Sequence, residues 1–215
     1  MEVGISEAAQ RLGVSAERVR QLIHADKLPA RRVSGRFLID ESALGRPPAS
    51  SRAMSSAMAW YLILMLSGVA RPPGARPTEL TRLRQKLARL RVEDQPATLL
   101  RSWLGRRAEL RLYSVAPADL PELRNDARIV ISGISDARAG LSSAAELEGY
   151  VAPEHLDTVV SEYLLSEVGR PNVFLHVHAL EGPQAPLGVV LADLADHNSP
   201  REEGRLADLL REALV

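Results

Sequence analysis

Two short apolar runs near the start of the chain set the first expectation. Ala8, Ala9 and Leu12 fall on one face of a first helix that Ser6 can cap. Gly13-Val14 stand where that helix must stop. Ser15 caps a second helix running to about Asp26, whose Val19, Leu22 and Ile23 form an apolar stripe. At helical spacing Glu17, Arg20, Gln21 and His24 lie opposite that stripe, with Arg18 on its flank. Leu28-Pro29 then leaves the helix. Ala30–Val33 and Arg36–Ile39 alternate around Ser34-Gly35, a favourable hairpin pair, and Asp40 is placed to cap a short helix through Leu44.

Beyond this point the pattern changes. Residues 46–52, with Pro47-Pro48 and three serines or alanines, read as a linker. Residues 57–66 are uninterruptedly apolar, about half of the roughly 20 residues that a membrane span needs, so a helix buried nearly all round is expected, at a domain centre or a dimer seam. Trp60 and Met65 are expected to pack in a core. Leu80, Leu83, Leu87 and Leu90 then recur at spacings of three and four on a helix capped by Thr78, and Pro96 separates it from a shorter one over Thr98–Leu104. Strand patterns follow at 112–115, 128–132 and 172–178, residues 147–151 read as an extended, partly polar segment, and residues 189–191 are open to either strand or helix. Helices are expected near 118–123, between Gly133 and Gly140, from Pro153 through Leu164, and over 200–214. The expected fold is α+β: an N-terminal winged helix-turn-helix over 1–45, a helical region over 53–111, and a mixed α+β domain over 112–215 that serves as effector or dimerisation unit.

Charge sharpens this division. The 215 residues carry 27 basic and 27 acidic side chains, yet the balance is uneven. Residues 1–70 hold 9 Lys/Arg against 6 Asp/Glu, residues 71–111 hold 11 against 4, and residues 112–215 hold 7 against 17. A basic front and an acidic back suit a nucleic-acid-facing front half. The basic helices of 77–111 read either as a second phosphate-contacting surface or as a solvated face. Cysteine is absent, which excludes disulfides and thiolate metal sites and fits a reducing cytoplasm. No secretory leader pattern opens the chain.

The string LGVSAERVRQLIHADKLPARRVSGRFLI resembles the MerR/excisionase group of winged helix-turn-helix DNA-binding domains in the order and spacing of its pieces. The resemblance implies that Arg20 and Gln21 take base-reading positions while Ser15 and the wing arginines contact the DNA backbone. The residue chemistry agrees, since Arg can pair with guanine and Gln with adenine in the major groove. Glu17 can read cytosine N4 or orient Arg20 or Gln21. The expected DNA-contacting set is Ser15, Glu17, Arg18, Arg20, Gln21, His24, Arg31, Arg32 and Arg36.

The remainder offers little catalytic chemistry. Neither a phosphate-binding loop nor a nucleophile elbow occurs, so no catalytic residue is assigned; an enzyme would have its site in 112–215. His176 and His178 share a strand face, and with His155 or His197 and an acid they could bind metal; the reading adopted is of satisfied strand histidines, with no metal and no cofactor. Asp193, Asp196 and His197 loosely resemble a metal or acid–base cluster, and a helix end with capping Asp and Asn explains them as well. Residues 130–141, 148–165, 170–177 and 189–210 are arranged in a way that resembles the effector half of antitoxins from type IV (abortive-infection) toxin–antitoxin systems. That resemblance implies autorepression and a nucleotidyltransferase-like toxin as partner. The expected protein is therefore a cytoplasmic, non-enzymatic, sequence-specific regulator of double-stranded DNA, a homodimer because one small module reads few base pairs. An excisionase or DNA-bending protein is the alternative.

Overall fold

The computed structural model describes residues 2–12, 16–24, 28, 30–33, 36–40, 53–141, 144–197 and 199–214. The chain divides into two compact units, Met1–Ser50 and Ser51–Val215. The expected linker at 46–52, the helix through Leu44, and the turns at Gly13-Val14 and Ser34-Gly35 lie outside the described residues.

In the first unit a short strand β1 (Glu2–Gly4) runs directly into helix α1 (Ile5–Leu12), followed by α2 (Ala16–His24) and the hairpin β2 (Ala30–Val33) and β3 (Arg36–Asp40). All three strands pair antiparallel in the order β1-β3-β2, with Val3 opposite Ile39 and Ala30 also opposite Ile39 across the other edge. Val3, Ala8, Ala9, Val19, Leu28 and Ile39 make the core, and Ile5 and Ile23 pack against it. The apolar spacing thus selects the buried face of both helices. Strand β1 is the element that the pattern does not announce, because three residues are too few to show alternation. Its presence moves the helix start to Ile5, so Ser6 lies inside the first turn rather than at the cap.

The second unit contains α3 (Ser56–Leu66), α4 (Pro77–Arg91), α5 (Pro96–Leu104), β4 (Glu109–Tyr113), α6 (Leu120–Arg124), β5 (Ile129–Ile131), β6 (Leu147–Val151), α7 (Pro153–Glu162), β7 (Val173–Val177), α8 (Leu187–Asp196) and α9 (Pro200–Ala213). Residues 53–111 and 112–215, separated in the sequence reading, belong to this one unit because α8 packs against both α3 and α5. The four strands order β4-β7-β6-β5, with β6 and β7 parallel and both outer pairs antiparallel.

The two sheet faces differ in chemistry. Tyr113, Ile129, Leu147, Val151, Val173 and Leu175 pack on Leu120, Leu123 and Val159 of α6 and α7, a wholly apolar layer. The opposite face carries Glu148, Tyr150, Phe174, His176 and His178 by strand alternation. On that side Trp60 of α3 stacks on His178 with ring centroids 4.1 Å apart and meets Tyr150 edge-on at 6.3 Å.

Several expected elements shift. Residues 189–191 are helical within α8, whose residues 188–195 are all buried; three consecutive apolar residues carry no period to separate helix from strand. Helix α3 buries Ala59, Leu62, Ile63 and Leu66 and half-buries Met58, Trp60, Tyr61, Leu64 and Met65, so of the apolar run 57–66 Ala57 alone is exposed, close to the nearly all-round burial expected. Pro77 opens α4 from an Arg76 cap, which places Thr78 within the first turn. Strand β4 starts three residues before the expected 112. The helix expected between Gly133 and Gly140 is two single 3-10 turns, Gly133–Ser135 and Ala137–Ala139. Leu164, expected on the α7 stripe, sits in the left-handed region at φ 50 and is 83% exposed. The helix has ended by then, and this turn puts Leu165 into the core instead. No helix among the described residues is long and apolar enough to cross a membrane.

Candidate nucleic-acid interface and the buried polar network

In the first unit α2 buries Val19 fully and leaves Glu17 and Arg20 exposed one turn apart. Arg20 donates from Nη1 to Glu17 Oε2 at 2.9 Å, with both side chains about half or more in solvent (49% and 67%). An exposed pair of this kind is worth about 0–1 kcal/mol, so the guanidinium can exchange its carboxylate for another acceptor at little cost. Arg31 on β2 is also exposed. Arg20 further borders an open hollow of about 710 Å³ with Gly4, Ser6, Glu7 and Phe37. Of the remaining expected contacts, Ser15 and the side chains of Arg18, Gln21, His24, Arg32 and Arg36 lie outside what is described.

The second unit gathers polar groups in its interior instead. Arg107, at the end of the α5–β4 turn, is 3% exposed and donates from Nη2 to Asp193 Oδ1 (2.7 Å) and Asp196 Oδ2 (2.6 Å), and from Nε to the Tyr150 hydroxyl (2.9 Å). Tyr150 in turn donates to Asp193 Oδ1 at 2.9 Å, and the Ser132 hydroxyl donates to Asp193 Oδ2. Glu148 accepts from the Ile134 amide at 3.0 Å; its Oε1 meets His176 Nε2 at 3.0 Å and its Oε2 meets His197 Nε2 at 2.8 Å. His176 Nε2 stands 3.6 Å from Asp193 Oδ1, too far for a sound hydrogen bond, and its ring stacks on Tyr150 at 4.7 Å.

These neighbours set the titration. Burial pushes the Glu148 carboxyl upward, but hydrogen bonds from His176 and His197 win and hold it at about 2. Burial would lower the Arg107 pKa, yet the charge of Asp193, with Tyr150 and Asp196, raises it well above its ordinary value. For Asp193 burial dominates and moves the carboxyl upward against His176 and Arg107. Burial would also lower His197, but Glu148 raises it.

His176 and His178 do share a face, yet they serve different partners: His178 stacks on Trp60, while His176 joins Glu148 and Asp193. The ligand atoms of Glu148, His176 and Asp193 lie within 4.8 Å of one another, all fully buried. Asp193, read from sequence either as part of a loose metal or acid–base cluster or as part of a capped helix end, is the centre of the network. Glu148, Tyr150 and Arg107 escaped notice altogether. The available signal was Glu148 itself, a lone acid in the run LEGYV between strand-forming apolar residues.

Residues 3–45 match a protein family described as a helix-turn-helix domain. That is a match to a module of the first unit, and it is consistent with binding DNA. No curated protein and no solved structure matches the chain.

Proposed function

We propose that this protein is a sequence-specific DNA-binding regulator whose α2 enters the major groove while the β2–β3 hairpin acts as a wing on the phosphates. The observation that carries this is the helix-turn-helix match over residues 3–45, on a unit whose second helix buries Val19 and exposes Arg20 and Glu17. Arg20 reads a base edge, and Glu17 holds its guanidinium in place beforehand. Arg31 supplies a backbone contact, which adds affinity without sequence information. The protein works as a homodimer on paired half-sites, and no catalytic step is assigned to it.

The test is selection of bound sites from random duplexes, followed by titration of Arg20→Ala and Arg31→Ala. Arg20→Ala should relax base preference at one position of each half-site. Arg31→Ala should weaken all duplexes alike and flatten the salt dependence. Enrichment of no common sequence by the wild-type protein would sink the proposal. A finer antitoxin-like role is supported by the resemblance of residues 130–141, 148–165, 170–177 and 189–210 alone. It requires a nucleotidyltransferase-like product of the adjoining reading frame to be neutralised on co-expression.

A further inference from the structure

The sheet's polar face presents one imidazole nitrogen to two buried carboxylates at once. His176 Nε2 lies 3.0 Å from Glu148 Oε1 and 3.6 Å from Asp193 Oδ1. A single N–H can serve only the nearer oxygen. Donors about 2.1 Å from a shared ion, at tetrahedral or right-angled positions, lie roughly 3.0–3.4 Å apart. The first separation falls at that range and the second just beyond it, and all three donor atoms lie within 4.8 Å of one another. Glu148, His176 and Asp193 are respectively 2%, 2% and 0% exposed, so two carboxylates lie in the interior, Asp193 against Arg107 and Glu148 against His197. Burying such charge is costly unless it is neutralised.

The surroundings hold the donors in place before any ion arrives. Asp193 is fixed by Arg107, Tyr150 and Ser132, and Glu148 by the Ile134 amide and His197. Tyr150 stacks on the His176 ring and sets its plane. Gly133 makes room: a Cβ there would fall 1.8 Å from Glu148 Oε2, so the 3-10 turn closes over the carboxylate only because residue 133 has no side chain. Outer contacts of this kind are what orient metal-binding carboxylates and imidazoles.

We propose that Glu148, His176 and Asp193 bind one divalent first-row transition-metal ion of the zinc type between α8 and strands β6 and β7. The ion takes the place of the His176 Nε2 proton, which leaves to solvent, and ties α8 to the sheet. One imidazole with two carboxylates favours Zn²⁺ or Mn²⁺ over Ca²⁺ or Mg²⁺, and the absence of cysteine rules out a thiolate site. This inference is independent of the DNA-binding reading.

The test uses the full chain, stripped with a chelator, loaded with Zn²⁺ or Mn²⁺ and desalted. Elemental analysis should find one ion per chain, and the loaded protein should unfold at higher temperature than the stripped one. Glu148→Gln and His176→Gln should each reduce the retained ion to background, while His155→Ala, an exposed histidine, should retain it. Should either core variant fail to fold, anomalous scattering from crystals of the Zn²⁺-loaded wild type decides: a peak between Glu148, His176 and Asp193 supports the site. A folded wild type that retains no ion, variants that retain it undiminished, or an anomalous peak only elsewhere overturns it.

Discussion

The two units use the same pair of chemical groups in opposite ways. In the first, Arg20 and Glu17 meet at 2.9 Å in solvent; in the second, Arg107 and Asp193 meet at 2.7 Å in the interior. Water screens the exposed pair, so its guanidinium is available to another partner. The buried pair has lost its hydration, so removing Arg107 leaves the Asp193 carboxylate buried without its guanidinium, and removing Asp193 leaves Arg107 with Asp196 as its remaining carboxylate. Surface charge in this protein is positioned to be exchanged, and interior charge is positioned to hold elements together.

The largest test of that contrast is Arg107→Met. It strands the fully buried Asp193 and should lower stability by about 3–5 kcal/mol, measured by urea unfolding. Adding Asp193→Asn to it should recover part of the loss. A change below about 1 kcal/mol in Arg107→Met would show that the network is not structural. Next comes Gly188→Ala, whose Cβ would sit 2.1 Å from the Ile63 carbonyl oxygen where α8 crosses α3. Backbone cannot yield there as a side chain could, so a loss of about 1–3 kcal/mol is expected, again by urea unfolding.

Arg20→Ala should cost about 1–3 kcal/mol of specific DNA affinity while leaving the unfolding curve unchanged. A comparable loss of stability would place Arg20 in the fold rather than at an interface. The smallest effect belongs to pH. Asp126 accepts hydrogen bonds from the Arg128 side chain and from the Tyr163 hydroxyl, and these hold its carboxyl down at about 2 against the upward push of burial. Its folded pKa is therefore below its unfolded one. The stabilisation is complete above the ordinary carboxylate range and is lost as pH falls through about 2. Wild type and Asp126→Asn should differ in unfolding midpoint at pH 6, and the gap should narrow by pH 2.5. A gap that stays constant would remove the titration of Asp126 from the account.

The first unit was the more readable because its chemistry is local. Val19 and Ile23 on one side of α2, and Arg20 and Glu17 on the other, follow from helical spacing alone, and the hairpin strands follow from alternation. Strand β1 did not, since its role depends on Ile39, far along the chain. In the second unit the strands over 129–131 and 173–177 were legible as apolar or β-branched runs, and 147–151 only as an extended, partly polar segment. The network was not. Arg107, Glu148, His176 and Asp193 come from a turn, two strands and a helix, and no spacing in one segment links them. The basic surface of α4 is a middle case: Leu80, Leu83 and Leu90 are buried as their period requires, and Lys86 lies 3.9 Å over the Trp103 ring, a contact that the period does not contain.

By itself, the sequence determined which faces of the helices and strands are apolar, that Arg20 and Arg31 lie on exposed faces of the first unit, and that no thiolate chemistry is present. Those properties are set within a few residues by backbone periodicity and side-chain type. Only the tertiary structure decided that residues 53–111 share a unit with the mixed sheet, and that one sheet face is apolar while the other carries buried charge. It also decided that Asp193 stands at the centre of a network. These depend on contacts between residues 40 to 90 positions apart, such as Arg107 with Tyr150 and with Asp193. Packing, not local preference, brings such groups within hydrogen-bond reach.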